Sequence, residues 1–228
     1  MITLMLALTV VIDPGHGGSN TGAPGRKPGT YEKQVTMSVA RLLKARLAEA
    51  GATVILTRDH DEYLTLRERS RRANSQASTC FVSLHGNASP DHSRRGAETY
   101  VLSREITEVE ARRARMQSAD PSGAQGLLAE LAMIEAHRAS VALAQLVHAR
   151  LYDARGGARS VKQATYDVLS GQQSPAILVE IGFLDHPLEG TELLDPSTQA
   201  EVAQNIAAGL LEFAGQRPAA RLAQLQIP

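Results

Sequence analysis

Two histidines each follow an apolar, strand-like run, and side chains in that position often take part in chemistry. His16 lies in the glycine-rich turn of residues 13–18, directly after the buried-strand pattern of residues 8–13. His85 ends a second apolar run at residues 80–85. Open α/β sheets bind ligands beyond the carboxyl ends of their strands, and glycines let a ligand approach the backbone. We therefore expect both imidazoles to face one site, although a loop histidine without a partner is an equal alternative for His16 taken alone.

Glu32 stands at the start of a helix-like segment that covers residues 33–50. A carboxylate is favoured there by the helix macrodipole alone, which is the simpler interpretation of this residue in isolation. Together with His16 and His85, however, Glu32 completes a three-ligand set suited to one catalytic zinc ion with a position open for water. The spacing of the three residues is irregular, so their convergence is a prediction about tertiary structure.

Glu180 interrupts the apolar strand pattern of residues 177–181. Burying an unpaired charge costs free energy, so a carboxylate in such a strand calls for a structural or functional explanation. Metal-assisted hydrolysis uses a carboxylate near the attacking water, first as a base and then as an acid. The alternative is a glutamate at a strand end that faces solvent or pairs with an arginine.

Alternating strands and helices must position these four side chains. The pattern predicts an α/β fold, a single domain with a mostly parallel or mixed central sheet and helices on both faces. We expect this domain to cover residues 1–216, followed by a peripheral tail at 217–228. The apolar run of residues 2–12 is interpreted as a buried first strand, because no basic segment precedes it and no cleavage site follows it. Predicted strands cover residues 8–13, 53–57, 80–85, 98–102 and 177–181, and predicted helices cover 33–50, 64–77, 105–118 and 202–213.

The apolar residues between these elements form two stripes that do not share one helix face. Leu127, Leu131 and Ile134 form the first stripe, and Leu143, Val147 and Leu151 form the second. One straight amphipathic helix keeps its apolar residues on one side. The mismatch predicts a break or bend near residues 137–140.

Composition argues against several classes of partner. The chain has 24 Lys+Arg against 24 Asp+Glu and no tryptophan. This balance predicts no nucleic-acid partner, and no apolar run is long enough to predict a membrane span. The single cysteine, Cys80, lies in an apolar run and is expected to be a buried small side chain.

The ordered motifs resemble those of the zinc-dependent N-acetylmuramoyl-L-alanine amidases of the amidase-3 type. The resemblance covers residues 10–213 and is carried by these segments in order: Val11-Ile12-Asp13-Pro14-Gly15-His16-Gly17-Gly18, Tyr31-Glu32-Lys33, Thr57-Arg58-Asp59, Leu66-Arg67-Glu68-Arg69, Ser83-Leu84-His85-Gly86-Asn87-Ala88 and Leu178-Val179-Glu180-Ile181-Gly182-Phe183-Leu184.

The resemblance implies the function and the roles of the site residues. His16, Glu32 and His85 would hold one Zn²⁺ ion, and Glu180 would be the catalytic glutamate. Arg58, Arg67 and Asn74 would support the site without taking part in catalysis. The substrate would be peptidoglycan, cut between N-acetylmuramic acid and L-alanine, by a monomer in the periplasm or outside the cell.

The helical segment of residues 104–139 raises the possibility of regulation. In division amidases of this family, a helical insertion covers the active site until an activator protein displaces it. Residues 121–138 occupy the equivalent place here, and Glu130 and Glu135 are candidates to reach the metal. An ordinary packed helix is an equally good interpretation of this segment.

Two rival functions remain open at this stage. A wall-binding module could keep the fold and lose turnover, although the presence of all four expected residues argues against it. A zinc exopeptidase acting on free peptides is the second rival. Many such enzymes use two metals, whereas the sequence offers ligands for one.

Overall fold

Six strands form one mixed sheet in the computed structural model, which describes residues 8–216. The strands are β1 (Thr9–Pro14), β2 (Thr53–Leu56), β3 (Cys80–Asn87), β4 (Glu98–Leu102), β5 (Lys162–Ala164) and β6 (Ala176–Phe183), in the spatial order β2-β1-β3-β6-β4-β5. All neighbouring pairs are parallel except β4 and β6, which are antiparallel. The sheet is therefore mixed, which is one of the two forms, mostly parallel or mixed, that the sequence predicted. The expected tail at 217–228 and the start of the apolar run before Leu8 lie outside the described residues.

Helices cover both faces of this sheet, which confirms the predicted layers. They are α1 (Glu32–Glu49), α2 (Leu66–Asn74), α3 (Arg104–Gln117), α4 (Ala124–Arg155), α5 (Glu189–Glu192) and α6 (Pro196–Gln216). Buried side chains of α1, α4 and α6 form the larger core with one face of the sheet. On the other face, Ala73 of α2 and Ile106 of α3 pack against a smaller cluster that includes Phe81 and Leu178.

The predicted break near residues 137–140 is wrong, because α4 runs unbroken through them. The second apolar stripe, with Leu143, Val147 and Leu151, is fully buried in the larger core. Leu127 and Leu131 of the first stripe are exposed, and this half of the helix packs beside α3. The apolar face changes along the helix because its partner changes from α3 to the sheet and α6.

Two short elements were missed, namely β5 and α5. They contain 3 and 4 residues, too few to show a period in the sequence. The helices found in residues 8–216 include none that is long and apolar enough to cross a membrane.

The register of the strands places three polar side chains in one row. His85 on β3 lies beside Glu180 on β6, and Glu180 lies opposite Glu98 on β4. Side chains directly opposite each other on neighbouring strands stand about 5 Å apart on the same face. The sheet therefore brings His85, Glu180 and Glu98 together at the edge where β3 and β6 have their carboxyl ends.

Ser140 on α4 is expected to stabilise the fold through a buried hydrogen bond to the sheet. Its Oγ accepts a hydrogen bond from the backbone N–H of Ala176, at 2.8 Å, where β6 begins. The Ser140→Ala substitution leaves that buried N–H without a partner, so the free energy of unfolding should fall by about 1–3 kcal/mol. Urea denaturation measures this change.

The exposed Ser75→Ala substitution is the control, since its Oγ donates to a carbonyl at the surface. It should change the free energy of unfolding by less than about 0.5 kcal/mol. Equal effects of the two substitutions would contradict a specific role of the Ser140–Ala176 hydrogen bond.

Candidate metal centre

The turn after β1 presents His16 in an unusual backbone conformation. His16 has φ = 60°, and Gly17 and Gly18 that follow also have positive φ angles. A positive φ is uncommon for a residue with a side chain, and such strain concentrates at functional sites. The chain turns sharply here, so the imidazole points back over the end of the sheet.

Two buried arginines hold the carbonyl groups of this turn. Arg58 donates from Nε to the Pro14 oxygen and from Nη2 to the Gly15 oxygen, both at 2.9 Å. Arg69 donates from Nη1 to the Pro14 oxygen at 2.8 Å and from Nη2 to the His16 oxygen at 2.6 Å. Burial lowers the pKa of Arg58 to about 10, so its guanidinium group remains charged at neutral pH.

Three ligand atoms converge beside this turn. His16 Nε2 and His85 Nδ1 each lie 2.9 Å from Glu32 Oε1. The three residues are the one group of at least three candidate metal-binding side chains among residues 8–216, and their ligand atoms all lie within 4.8 Å of one another. Ligands held 2.0–2.1 Å from a tetrahedral zinc stand roughly 3.3 Å apart, so this cluster needs little adjustment to hold the ion.

Asn20 determines which nitrogen of His16 faces the cluster. The Asn20 Oδ1 atom lies 2.9 Å from His16 Nδ1 and also accepts a hydrogen bond from the backbone N–H of Gly22. Because Oδ1 is an acceptor, His16 Nδ1 must carry the proton and donate it. The lone pair of a neutral His16 is then on Nε2, which is the atom that a metal requires.

Backbone N–H groups hold the carboxylate of Glu32 in place. Glu32 is the first residue of α1, and its Oε1 accepts from the N–H of Gly86 at 3.0 Å. Its Oε2 accepts from the N–H of Ala23 at 2.8 Å. Burial alone would raise the pKa of Glu32, but hydrogen bonds and charges of His16 and His85 outweigh burial and hold that pKa well below its usual range. Glu32 is therefore ionised.

Two glycines allow the ligands to press against the backbone. A Cβ atom at Gly15 would lie 2.4 Å from His85 Cε1, and one at Gly22 would lie 2.5 Å from Glu32 Oε2. Neither distance is compatible with ordinary van der Waals contact. The close approach explains why these positions of the two loops have no side chain.

Glu180 lies on the strand next to His85 and is buried. Its Oε2 atom has no hydrogen-bond partner among the described residues. The pKa of Glu180 is raised to about 7, mainly by burial; the charges of Glu32 and Glu98 also raise it, whereas those of His85 and His16 lower it. A carboxyl group with a pKa near 7 is able to accept and return a proton at neutral pH.

Glu98 is a buried neighbour of Glu180 that the sequence analysis did not single out. Its Oε1 accepts from Arg94 at 2.7 Å and from Lys162 at 2.6 Å, and its Oε2 accepts from Tyr100 at 2.6 Å. The cost of burying a charge in an apolar strand applies to Glu98 as it does to Glu180. A glutamate inside an apolar strand pattern is therefore the sequence signal that could have identified Glu98.

The supporting residues suggested by the sequence are only partly found at the site. Arg58 contacts the His16 turn, and Asn74 donates to the Gly171 oxygen away from the cluster. Arg67 is exposed, whereas Arg69, two residues later, makes the contacts to the turn. The remaining histidines lie outside the metal cluster: His60, His92, His137, His148 and His186.

The two regulatory candidates lie outside the cluster as well. Glu130 pairs with Arg115 on α3, with 3.1 Å between Oε2 and Nη1. Glu135 pairs with Arg138 one turn further along α4, at 2.8 Å. The structure therefore does not bring either carboxylate together with His16, Glu32 and His85.

Comparisons with known proteins agree with this geometry. A model of the amidase-3 family, described as N-acetylmuramoyl-L-alanine amidase, matches residues 10–212. The probable N-acetylmuramoyl-L-alanine amidase AmiB of Haemophilus influenzae is 31% identical over 225 residues, which cover 90% of this chain and 52% of the relative. AmiC of Neisseria meningitidis is 31% identical over 221 residues, with the same shares covered. The chain spans about half the length of these two curated relatives.

Solved structures share the fold over nearly the whole chain. An N-acetylmuramoyl-L-alanine amidase from Clostridium difficile 630 has a TM-score of 0.74 and 26% identity, covering 92% of this chain and 98% of that one. The CwlD amidase from Clostridioides difficile, solved with the GerS lipoprotein, has a TM-score of 0.73 and 23% identity, covering 90% and 98%. The match over residues 10–212 establishes the family: this chain belongs to the N-acetylmuramoyl-L-alanine amidases of the amidase-3 type.

Proposed function

We propose that this protein is a zinc-dependent hydrolase that cuts the amide bond between N-acetylmuramic acid and L-alanine in peptidoglycan. The observation that carries the proposal is the three-ligand cluster of His16, Glu32 and His85, with the buried Glu180 on the adjacent strand. Family membership supports the substrate class. The proposed location of the protein, in the periplasm or outside the cell, follows from that substrate.

The chemistry of the donor set fits one Zn²⁺ ion. Two imidazole nitrogens and one carboxylate oxygen are the ligands of many catalytic zinc sites, which keep a fourth position for water or substrate. Asn20 positions His16, and backbone N–H groups position Glu32, as the outer contacts of metal ligands usually do. The His16 and His85 nitrogens each lie 2.9 Å from the same Glu32 oxygen, so one cation placed among the three atoms can contact all of them.

Glu180 is the proposed base and acid of the reaction. A bound zinc ion would polarise the scissile carbonyl and lower the pKa of a coordinated water toward neutrality. The Glu180 carboxylate would accept a proton from the attacking water and return a proton to the nitrogen of L-alanine as the amide bond breaks. Its orphaned Oε2 is the atom available for this transfer.

Regulation is a separate part of the proposal. CwlD, a protein of the same fold, was solved in complex with a lipoprotein. An activator protein for this chain, and a covering role for residues 104–139, stay predictions. For Glu130 or Glu135 to bind the metal, its ion pair with Arg115 or Arg138 would first have to open.

Asn20 should contribute to zinc affinity, because it fixes the tautomer of His16. The Asn20→Ala substitution should weaken zinc binding by about 10–100-fold, as is typical for outer contacts of a metal ligand. Competition with a chromogenic chelator measures the dissociation constant. Asn20→Asp retains the acceptor and should bind zinc nearly as tightly as the original protein.

The matched control is Asn205→Ala on α6, where the amide donates to a carbonyl of its own helix. Zinc affinity should stay unchanged in this control. An unchanged affinity in Asn20→Ala as well would show that Asn20 does not position the ligand.

Glu180→Gln should keep the fold and the zinc but lose turnover, because an amide cannot accept the proton of water. The rate of release of new L-alanine amino termini from purified peptidoglycan should fall by about 10²–10⁴-fold. Metal analysis should find the same zinc content in both proteins. Glu49→Gln, an exposed substitution of the same kind on α1, should leave the rate unchanged.

Full turnover by a zinc-loaded Glu180→Gln protein would remove Glu180 from the mechanism. If the original protein also released nothing while it bound peptidoglycan, a wall-binding role without catalysis would replace the proposed function.

A further inference from the structure

Beside Glu180, two cations share one carboxylate at the rim of the site. Arg94 and Lys162 both donate to the Oε1 atom of Glu98, at 2.7 and 2.6 Å. Hydrogen bonds from Tyr100 and Asn87 occupy its Oε2 atom, at 2.6 and 3.1 Å. We call the set Arg94, Lys162 and Glu98 the basic rim.

The carboxylate of the basic rim is saturated with hydrogen bonds, whereas its two cationic partners are not. A carboxylate offers about four acceptor positions, and Glu98 already receives four hydrogen bonds. Although burial alone would raise the pKa of Glu98, the hydrogen bonds from Lys162 and Tyr100 and the nearby cations lower it, so the group is ionised. Arg94 and Lys162 have further N–H donors that the four filled positions of Glu98 cannot accept, so these donors are available to a second anion.

The cationic groups of the basic rim are accessible to a ligand. The side chain of Glu98 is 4% exposed, whereas those of Arg94 and Lys162 are 54% and 34% exposed. The Arg94 guanidinium stacks over the ring of Phe183, 5.1 Å from its centroid. The buried carboxylate and the aromatic ring thus hold two exposed donors in place before any ligand arrives, which lowers the entropy cost of binding.

The distance from Glu180 to the basic rim suits a peptide substrate. Glu98 lies directly opposite Glu180 on the neighbouring strand, about 5 Å away. The donor atoms of Arg94 and Lys162 lie 2.7 and 2.6 Å from the Glu98 carboxylate. An extended peptide covers about 3.3–3.6 Å per residue, so a group on the second residue beyond the scissile bond reaches the rim.

We propose that Arg94 and Lys162 bind the free α-carboxylate of the second residue of the peptidoglycan stem peptide. That residue is a glutamate joined through its γ-carboxyl group, or its α-amide, isoglutamine. A guanidinium and an ammonium group bind a carboxylate by charge-assisted hydrogen bonds, which an amide cannot match. The basic rim therefore makes the protein prefer stems with the free carboxylate. This inference rests on the proposed function.

The test compares two soluble N-acetylmuramoyl peptides that differ only in that group, carboxylate or carboxamide. The zinc-loaded original protein should cleave the carboxylate form with about tenfold higher kcat/KM, mainly through a lower KM. Arg94→Gln and Lys162→Gln should each reduce this preference, and the double variant should abolish it. Lys162→Arg keeps the charge and should retain the preference.

Arg150→Gln is the control, since it removes an exposed, ion-paired arginine on α4. It should leave both KM values unchanged, and thermal unfolding shows whether each variant is folded. Equal kcat/KM on the two peptides with the original protein would overturn the proposal, even if every variant unfolded. A preference that persists in the folded double variant would overturn it as well.

Failure of the proposed function is distinguishable from failure of this inference. If neither peptide is cleaved, calorimetry with the same two peptides measures binding alone. Tighter binding of the carboxylate form, lost in the double variant, would support the basic rim without the amidase reaction. Equal binding of the two peptides would contradict it.

Discussion

The crowding of three acceptor atoms around one point is the constraint on which the structure of the site depends. His16 Nε2 and His85 Nδ1 both face Glu32 Oε1 at 2.9 Å, and Glu32 is buried. Such an arrangement is unfavourable unless a proton or a metal cation lies among the three atoms. The fold holds it from three directions, with one ligand after β1, one at the start of α1 and one on β3. The buried guanidinium groups of Arg58 and Arg69 fix the backbone of the turn after β1, which carries His16.

Buried carboxylates organise the opposite wall of the site. The loop of residues 88–97, which joins β3 to β4, is held in place by three of them. Asp185 accepts from the N–H of Ser89 and lies 2.7 Å from His92 Nδ1, Glu98 accepts from Arg94, and Glu189 accepts from the N–H of Gly96. Glu189 also accepts from the N–H of Phe183, the residue under Arg94. A rim fixed in this way is suited to bind a substrate with little reorganisation.

The sequence predicted the parts of the site that depend on strand ends. Apolar runs mark β1, β3 and β6 so clearly that His16, His85 and Glu180 could be placed at or near the carboxyl end of a buried strand. Their convergence with Glu32 could only be expected, because it depends on the order of the strands and on the path of the loop before α1. The resemblance to a known family supplied the roles that spacing could not.

The contacts that the sequence did not predict are those made across long separations. Arg69 was overlooked in favour of the exposed Arg67, since the face of α2 that meets the His16 turn is not evident from a short arginine-rich helix. Asn20 acts through a loop hydrogen bond that has no sequence period. The break expected in α4 was wrong because a helix that changes partners along its length shows two stripes while it stays one continuous helix.

The central claim is that one zinc ion, held by the three-ligand cluster, is required to cut the wall amide. The most direct measurement is the release of L-alanine amino termini from purified peptidoglycan after removal of metal by a chelator and stepwise return of Zn²⁺. The account predicts that release stops in the metal-free protein and is fully restored at one zinc ion per chain. Undiminished release without metal, or restoration only at two ions per chain, would contradict it.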